Sequence, residues 1–188
     1  MLSTGLRPCF SVNDFALSLF PFVEGRRAAD VGLSGRHWAE LGSTVKQIHA
    51  SQLPSDLLHV VPSESFTPTR RQVPRAAGPM HADLHACNMP LDFSEHRWLV
   101  DWDETILALK VRDLMFVMGG IGRDLVSAHE TSYSLQGFGE AEVDPKALTD
   151  YRYAWAGGQR WLLRPPSQTA GRHGARQSVL GALMKEIP

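Results

Sequence analysis

The chain has 188 residues, of which 43% are hydrophobic, and a formal net charge of -1. This length and composition suit one globular domain or two small lobes and exclude an intrinsically disordered chain. The near-neutral charge gives no electrostatic footprint for nucleic acid or for an anionic membrane, so neither partner is expected. The two cysteines, Cys9 and Cys87, are too few for a disulfide framework, and no signal peptide or membrane-spanning stretch is recognisable. A cytoplasmic protein is therefore predicted.

Two short strands are predicted near the N-terminus. Residues 6–12 and 15–23 are rich in apolar side chains and flank Asn13-Asp14, a pair that tolerates the tight backbone of a hairpin turn. Residues 21–25, Pro-Phe-Val-Glu-Gly, then end the second strand.

The strongest helix prediction covers residues 34–50. Ser34 is placed to cap it, and apolar side chains recur at helical spacing, which predicts a buried stripe: Trp38, Leu41, Val45 and Ile48. His37 and His49 fall outside this stripe and are expected to be solvated.

Residues 54–79 contain five prolines among polar side chains and have no periodicity, which predicts a connector. Its small basic cluster is expected to be solvated: Arg70, Arg71 and Arg75. Two further helices are predicted. One covers residues 112–118 and ends at Gly119-Gly120, and the other begins at Asp144-Pro145 and shows one apolar face: Leu148, Tyr151 and Trp155.

Most of the candidate site chemistry lies within residues 80–105. Asp83 is followed five residues later by Asn88, and a predicted short strand over residues 98–100 ends at Asp101. Mg²⁺ prefers hard oxygen ligands and is commonly held by one or two protein oxygens together with substrate phosphates. An aspartate that stays off the metal can act as a base. The order Asp, Asn, Asp is that of kinase catalytic loops and predicts phosphoryl transfer.

Two other interpretations of this segment remain open. His81, Asp83 and His85 alternate, so on a strand they would share one face and could bind zinc with Asp101 or Asp103, as in a hydrolase. That interpretation leaves Asn88 without a role. Alternatively, these polar residues only satisfy backbone groups in turns.

Three segments resemble the aminoglycoside phosphotransferase family, and within it the spectinomycin-type enzymes: HADLHACN, LVDWDET and VRDLMFVMGGIG. The resemblance implies a kinase-like α+β fold, made mostly of the helical C-lobe with a remnant β-hairpin and hinge of the N-lobe. It also implies ATP and Mg²⁺ as cofactors. The expected reaction transfers a phosphoryl group to a hydroxyl of an aminoglycoside- or aminocyclitol-like small molecule.

The resemblance also assigns roles to individual residues. Asp83 would be the catalytic base, and Asn88 and Asp101 would be the magnesium ligands. Asp113 would hydrogen-bond the catalytic loop, which His81, His85 and Asp103 would also support. The hinge would bind adenine through its backbone: Pro21, Phe22 and Val23.

The same resemblance divides the chain into three parts. Residues 1–25 would be the remnant N-lobe strands and hinge, residues 26–156 the C-lobe, and residues 157–188 a divergent, poorly ordered tail. Kinase-like enzymes use a strand lysine to pair the phosphates, but the chain has no lysine before Lys46. Pro90 is a further departure, because it lacks a backbone donor where the family runs into a strand. A truncated, weakly active or inactive copy is therefore expected, with a non-catalytic nucleotide-binding remnant as the alternative.

Overall fold

The computed structural model describes residues 9–12, 15–18, 22–55, 58–64, 78–121, 124–141 and 143–158. The α+β class is confirmed, since helices dominate and the strands form two-stranded antiparallel pairs. The predictions for Pro21, for the basic cluster in the connector and for the tail beyond residue 158 lie outside the described residues. The elements are β1 (Cys9–Val12), β2 (Phe15–Ser18), β3 (Gly25–Arg27), α1 (Ala28–Val31), α2 (Gly35–Ala50), β4 (Gly78–Met80), β5 (Pro90–Asp92), β6 (Ile106–Ala108), α3 (Val111–Val117), β7 (Gly120–Ile121), β8 (Asp124–Leu125), α4 (Ala128–Phe138) and α5 (Pro145–Gly158).

The predicted N-terminal hairpin is confirmed in its pairing. Strand β1 runs antiparallel to β2, with Cys9 opposite Ser18 and Val12 opposite Phe15. The second strand is shorter than the predicted residues 15–23, since residues 22–24 have no strand conformation.

Helix α2 begins at a reciprocal cap, as its sequence predicts. The Ser34 hydroxyl accepts from the His37 backbone N–H, and His37 Nδ1 accepts from the Ser34 N–H, both at 3.2 Å. The predicted apolar stripe is buried. The expectation that His37 and His49 are solvated is wrong, because both are buried. His37 closes the cap, and His49 lies four residues after Val45 on the buried side of the helix.

Helix α4 was not predicted and packs directly on α2. Ser127 and Glu130 form a second capping box, and the Trp38 indole N–H donates to Glu130 Oε1 at 3.2 Å. The two helices approach closely enough for a glycine on each to face the partner's backbone. A Cβ on Gly42 would fall on the Ser134 carbonyl, and one on Gly137 would fall on the Ala39 carbonyl.

Replacing Gly42 by alanine should therefore destabilise the protein, although alanine is the better helix former. The propensity gain is about 1 kcal/mol, whereas forcing the two backbones apart should cost about 1–3 kcal/mol. Urea unfolding of Gly42→Ala measures the net effect, and Gln47→Ala at an exposed position of the same helix is the control. A stabilised Gly42→Ala variant would contradict the close helix contact.

Helices α3 and α5 complete the main core, as predicted. The largest cluster of buried side chains joins Leu41 and Val45 of α2 to Leu114 and Met115 of α3 and Tyr151 of α5. Helix α5 starts with proline at its first position, after Asp144, whose carboxylate accepts from the Lys146 N–H at 2.9 Å. The Tyr151 hydroxyl donates to Glu64 Oε2 at 2.6 Å, which attaches residues 58–64 to the core.

Two strand pairs hold the segment between them in place. Strand β4 pairs with β6, and β3 pairs with β5, so the loop from residue 81 to residue 89 is fixed at both ends. Pro90 is the first residue of β5, a strand position that proline tolerates although it has no N–H, and its carbonyl accepts from the Trp98 N–H at 2.9 Å.

The strand predicted over residues 98–100 is not formed. Arg97 makes an isolated bridge with Leu91, and the Val100 N–H donates to the Asn88 carbonyl at 3.0 Å. A full ladder cannot form here, because Asn88 lies in a 3-10 turn and Pro90 has no N–H to donate.

The segment after β5 is docked on α2 by two polar contacts. The Arg97 guanidinium donates to Thr44 Oγ1 at 2.7 Å, and His37 Nε2 donates to the Glu95 carbonyl at 3.1 Å. Burial lowers the pKa of Arg97 to about 10. In the described ranges no helix is both long and apolar enough to cross a membrane.

Candidate active site

The carboxylate of Asp113 is the centre of a buried hydrogen-bond cluster. It lies in the first turn of α3, is fully buried and faces the start of the loop that follows β4. Its Oδ2 accepts from the His81 N–H at 3.1 Å and from His49 Nε2 at 2.9 Å, and its Oδ1 accepts from the Ala82 N–H at 2.7 Å. The structure therefore brings Asp113 to the backbone beside His81.

Burial acts to raise the pKa of the Asp113 carboxyl group, because a charge loses its hydration. The hydrogen bonds from His49 and from the Ala82 N–H outweigh that effect and hold the pKa below its ordinary value. The carboxylate is thus ionised and satisfied on both oxygens.

Ala82 adopts a left-handed backbone conformation, with φ of 67°. This conformation costs a residue with a Cβ about 1–2 kcal/mol. The short bond from its N–H to a charged acceptor offsets that cost. Because of this bend, the chain leaves the direction of β4 before it reaches Asp83.

His81 holds the loop from the other side. The ring is fully buried, its Nε2 donates to the Val100 carbonyl at 3.0 Å, and its Nδ1 accepts from the Asp83 N–H at 3.3 Å. Burial lowers the pKa of His81, which matches a neutral ring with its proton on Nε2. The ring also contacts Trp102, with centroids 4.6 Å apart.

Asp83 and Asn88 are in direct contact, although their five-residue spacing suggested that they face different parts of a shared site. The Asn88 amide Nδ2 donates to the Asp83 carbonyl and to Asp83 Oδ2, each at 3.0 Å. His85 Nε2 lies 3.2 Å from the same Oδ2, and His85 Nδ1 accepts from the Cys87 N–H. Two donors therefore meet at Oδ2, and no hydrogen bond to Oδ1 is formed within the part of the chain that the structure describes.

Burial acts to raise the pKa of Asp83, which is about one fifth exposed, but the hydrogen bonds from His85 and Asn88 outweigh it. The pKa is therefore lower than that of an ordinary aspartate, and Asp83 is ionised at neutral pH.

A carboxyl group with a lowered pKa in the folded state stabilises the fold above its unfolded pKa of about 3.9, and that contribution is lost as the pH falls through the folded value. The unfolding free energy of the wild type minus that of Asp83→Asn should therefore decrease as the pH is lowered below about 4. Urea unfolding of both proteins at several pH values measures it. A difference that stays constant down to full protonation would show that Asp83 is not stabilised as an anion.

The residues that could hold Mg²⁺ are Asn88 and Asp101. Because Nδ2 of Asn88 is directed at Asp83, its carbonyl Oδ1 is turned away from that carboxylate. Asp101 is exposed, has φ of 62°, and follows Val100, whose N–H is bonded to the Asn88 backbone. Mg²⁺ prefers oxygen ligands, and the protein commonly supplies only one or two of them when phosphates supply the others. One amide oxygen and one carboxylate therefore fit a magnesium site.

A zinc site on His81, Asp83 and His85 does not fit the geometry. Both ring nitrogens of His81 are occupied by backbone partners in a fully buried ring. In the described part of the chain, no three His, Cys, Asp or Glu side chains are grouped to hold a metal ion.

The remaining predicted site residues are Asp103 and those of the hinge. Asp103 is exposed in the turn between Trp102 and Thr105. Of the predicted hinge, Phe22 is 88% exposed and Val23 is half-buried, while Pro21 is outside the described residues.

Sequence reasoning missed His49, whose Nε2 contacts the Asp113 carboxylate. A signal was present: Leu41, Val45 and His49 follow one another at four-residue spacing, which places them on one side of a helix.

Comparisons with known proteins show what this architecture is similar to. No protein-family model and no curated protein matches the chain. Among solved structures, spectinomycin phosphotransferase APH(9)-Ia in complex with ADP and spectinomycin is 22% identical, with a TM-score of 0.71 over 93% of this chain and 70% of that one. The AMP-bound complex of the same enzyme is 23% identical, with a TM-score of 0.65 over 88% of this chain and 66% of that one. The chain therefore has the kinase-like fold of the aminoglycoside phosphotransferases.

Proposed function

We propose that the chain is the catalytic-loop lobe of a kinase-like phosphotransferase that uses ATP and Mg²⁺. The acceptor in this proposal is a hydroxyl of an aminocyclitol- or aminoglycoside-like small molecule. The observation that carries the proposal is the Asp83 carboxylate, hydrogen-bonded to Asn88 in a loop that the buried Asp113 fixes. Structures of the similar fold contain ADP, AMP and spectinomycin, which supports a nucleotide and a small-molecule acceptor.

One carboxylate oxygen of Asp83 already accepts two hydrogen bonds, so the other oxygen would act in the proposed reaction. Oδ2 is occupied by Asn88 and His85, so Oδ1 would take the proton of the acceptor hydroxyl. The hydroxyl oxygen would form a bond to the γ-phosphorus as the bond from that phosphorus to the bridging oxygen breaks, and ADP would leave with that oxygen. Positioning and charge stabilisation, rather than covalent chemistry by the protein, carry such a reaction.

Asn88 Oδ1 and the Asp101 carboxylate would hold Mg²⁺ in this proposal. The ion would supply charge neutralisation at the phosphates. His81 would keep the backbone before Asp101 against the catalytic loop through its bond to the Val100 carbonyl. The backbone of residues 21–23 would bind adenine, and His85, Asp103 and Asp113 would support the loop.

Nucleotide binding without transfer is the second candidate, and one sequence feature favours it. The first lysine of the chain is Lys46, within α2, so no strand before the catalytic loop offers a lysine for the phosphates. Arg26 and Arg27 of β3 are the cations closest in sequence to the hinge, and Arg27 is engaged with Asp30 at 2.9 Å. In this candidate, transfer by this chain alone is weak, because a cation that contacts the phosphates acts in the transition state.

Two measurements on the purified chain separate these candidates. Isothermal titration with ATP and Mg²⁺, and with ATP and a chelator, tests for metal-dependent nucleotide binding. Mass spectrometry after incubation with spectinomycin and other aminocyclitols then tests for a phosphorylated product. Binding with product supports the phosphotransferase, and binding without product supports the second candidate. No binding in either titration would refute both.

A further inference from the structure

An exposed arginine and an exposed aspartate form an ion pair beside the candidate site. Arg27 donates to Asp30 through two nitrogens, from Nε to Oδ2 at 2.9 Å and from Nη2 to Oδ1 at 3.1 Å. The two side chains are 61% and 53% exposed. Because ion pairs between exposed side chains contribute little to stability, this pair has little effect on folding.

Arg27 lies alongside the segment that carries the candidate magnesium ligand. In the pair of β3 and β5, Arg27 is opposite Pro90, which follows Asn88 by two residues. The next N–H along β3, that of Ala28, donates to the Met89 carbonyl at 2.9 Å. Because opposite residues of antiparallel strands have Cα atoms about 4.5–5.5 Å apart, the Arg27 side chain begins next to this segment.

The guanidinium group lies near the 3-10 turn that precedes β5. The hydrogen bond and the charge of Asp30 raise the pKa of Arg27, and Cys87 in that turn raises it further. Charges on a solvated surface act only over short distances, so the guanidinium group is close to Cys87. Cys87 immediately precedes Asn88 in the chain. The cation is therefore on the side of β3 where phosphates would meet the metal in the proposed function.

The two donors that Asp30 occupies have the geometry that a phosphate requires. A guanidinium group binds carboxylates and phosphates in the same way, through two parallel N–H groups. The Asp30 carboxylate thus stands where two phosphate oxygens would bind. The chain has no lysine before Lys46, so a cation from another residue type would have to contact the phosphates from this part of the chain.

We infer that Arg27 binds the phosphate chain of the nucleotide, and that Asp30 occupies the same donors when no nucleotide is bound. On binding, the guanidinium group exchanges the Asp30 carboxylate for phosphate oxygens, and no covalent bond changes. The inference rests on the proposed function and deepens it, because it names a binding residue for the same nucleotide. Asp30 is then a competitor of the nucleotide for Arg27.

Two variants of this pair and two of a matched pair test the inference. Arg27→Gln removes the donors, and Asp30→Asn removes the competing charge. Arg36→Gln and Glu40→Gln make equivalent changes in a pair on α2, where Arg36 Nε donates to Glu40 Oε1 at 2.7 Å. Titration calorimetry with ATP and Mg²⁺ measures the affinity of the wild type and the four variants, and urea unfolding checks that each protein is folded.

We expect Arg27→Gln to weaken the affinity for ATP by about 10-fold, the effect of losing one charge-assisted hydrogen bond. Asp30→Asn should tighten the affinity by about 2- to 5-fold, because the arginine no longer has to leave a carboxylate. The variants of Arg36 and Glu40 should bind ATP like the wild type. A purely structural ion pair would not give opposite effects, since removing either partner breaks it equally.

Three results would refute the inference: wild-type affinity in Arg27→Gln, unchanged or weaker affinity in Asp30→Asn, or an equal loss of affinity in Arg36→Gln. If the wild type does not bind ATP with Mg²⁺, the proposed function is refuted, and titration with tripolyphosphate alone decides the role of Arg27. Tripolyphosphate binding that Arg27→Gln abolishes would support a phosphate site at Arg27 without the nucleotide. Tripolyphosphate binding that Arg27→Gln keeps, or no binding by the wild type, would refute the inference as well.

Discussion

Replacing Asp113 by alanine should lower the unfolding free energy by about 3–5 kcal/mol, the usual effect of removing one partner from a buried charged cluster. The substitution leaves the N–H groups of His81 and Ala82, and Nε2 of His49, without their acceptor. Each unsatisfied buried donor costs about 1–3 kcal/mol. Because a domain of this kind is stable by only about 5–15 kcal/mol, this one change would remove a large part of the total.

Urea unfolding followed by far-UV circular dichroism measures the loss. Leu114→Ala is a matched control, because Leu114 is a buried neighbour on α3 and its truncation costs about 2–5 kcal/mol without removing an acceptor. Both variants should be destabilised, but only Asp113→Ala should expose the amides of the loop to exchange under native conditions. If the unfolding free energy of Asp113→Ala falls by less than about 1 kcal/mol, water enters the cluster and takes the place of the carboxylate.

If the chain carries out the proposed phosphoryl transfer, replacing Asp83 by asparagine should lower its rate by about 10²- to 10⁴-fold, the range expected when a positioned general base is lost. The asparagine side chain has nearly the same shape, so the fold should be kept. ATP affinity should change little, because the proposed metal ligands are Asn88 and Asp101. Asp101→Asn should show the opposite pattern, with a weaker affinity for ATP in the presence of Mg²⁺.

Rates of product formation by mass spectrometry and affinities by titration measure these two variants side by side. Glu140→Gln removes an exposed carboxylate at the end of α4 and is the control for a change in charge alone. If Asp83→Asn leaves the rate unchanged and Asp101→Asn leaves the affinity for ATP unchanged, any transfer measured arises from another site or from a contaminant.

The helices that were predicted correctly have strong local signals. Helix α2 combines a cap at Ser34 with a regular apolar stripe, and α5 combines Asp144 with a proline at its first position. Helix α4 was missed because its interior contains serines, a threonine and Gly137, all weak helix formers. Its start was nevertheless encoded, since Ser127 and Glu130 have the spacing of a capping box.

The candidate site, like the helices, could be predicted only in part from the sequence. The order of the side chains places Asp83 and Asn88 in one loop, but it does not predict that the Asn88 amide donates to Asp83 Oδ2. The irregular path at residues 97–100 could not be predicted either, because it depends on the 3-10 turn that Asn88 occupies and on the missing N–H of Pro90. The burial of His49 depends on where α3 packs, and spacing within α2 indicates a side of the helix but not the partner found there.

The carboxylate that bends the loop from residue 81 to residue 89 lies well after that loop in the chain. Asp113 follows Ala82 by 31 residues and His49 by 64 residues. At a synthesis rate of about 5–20 residues per second, Asp113 is added about 2–6 s after Ala82. From the addition of Asn88 until that of Asp113, the nascent chain contains the complete HADLHACN segment without the group that bends it. A nascent chain stalled before Val111 should therefore carry the motif but not its geometry.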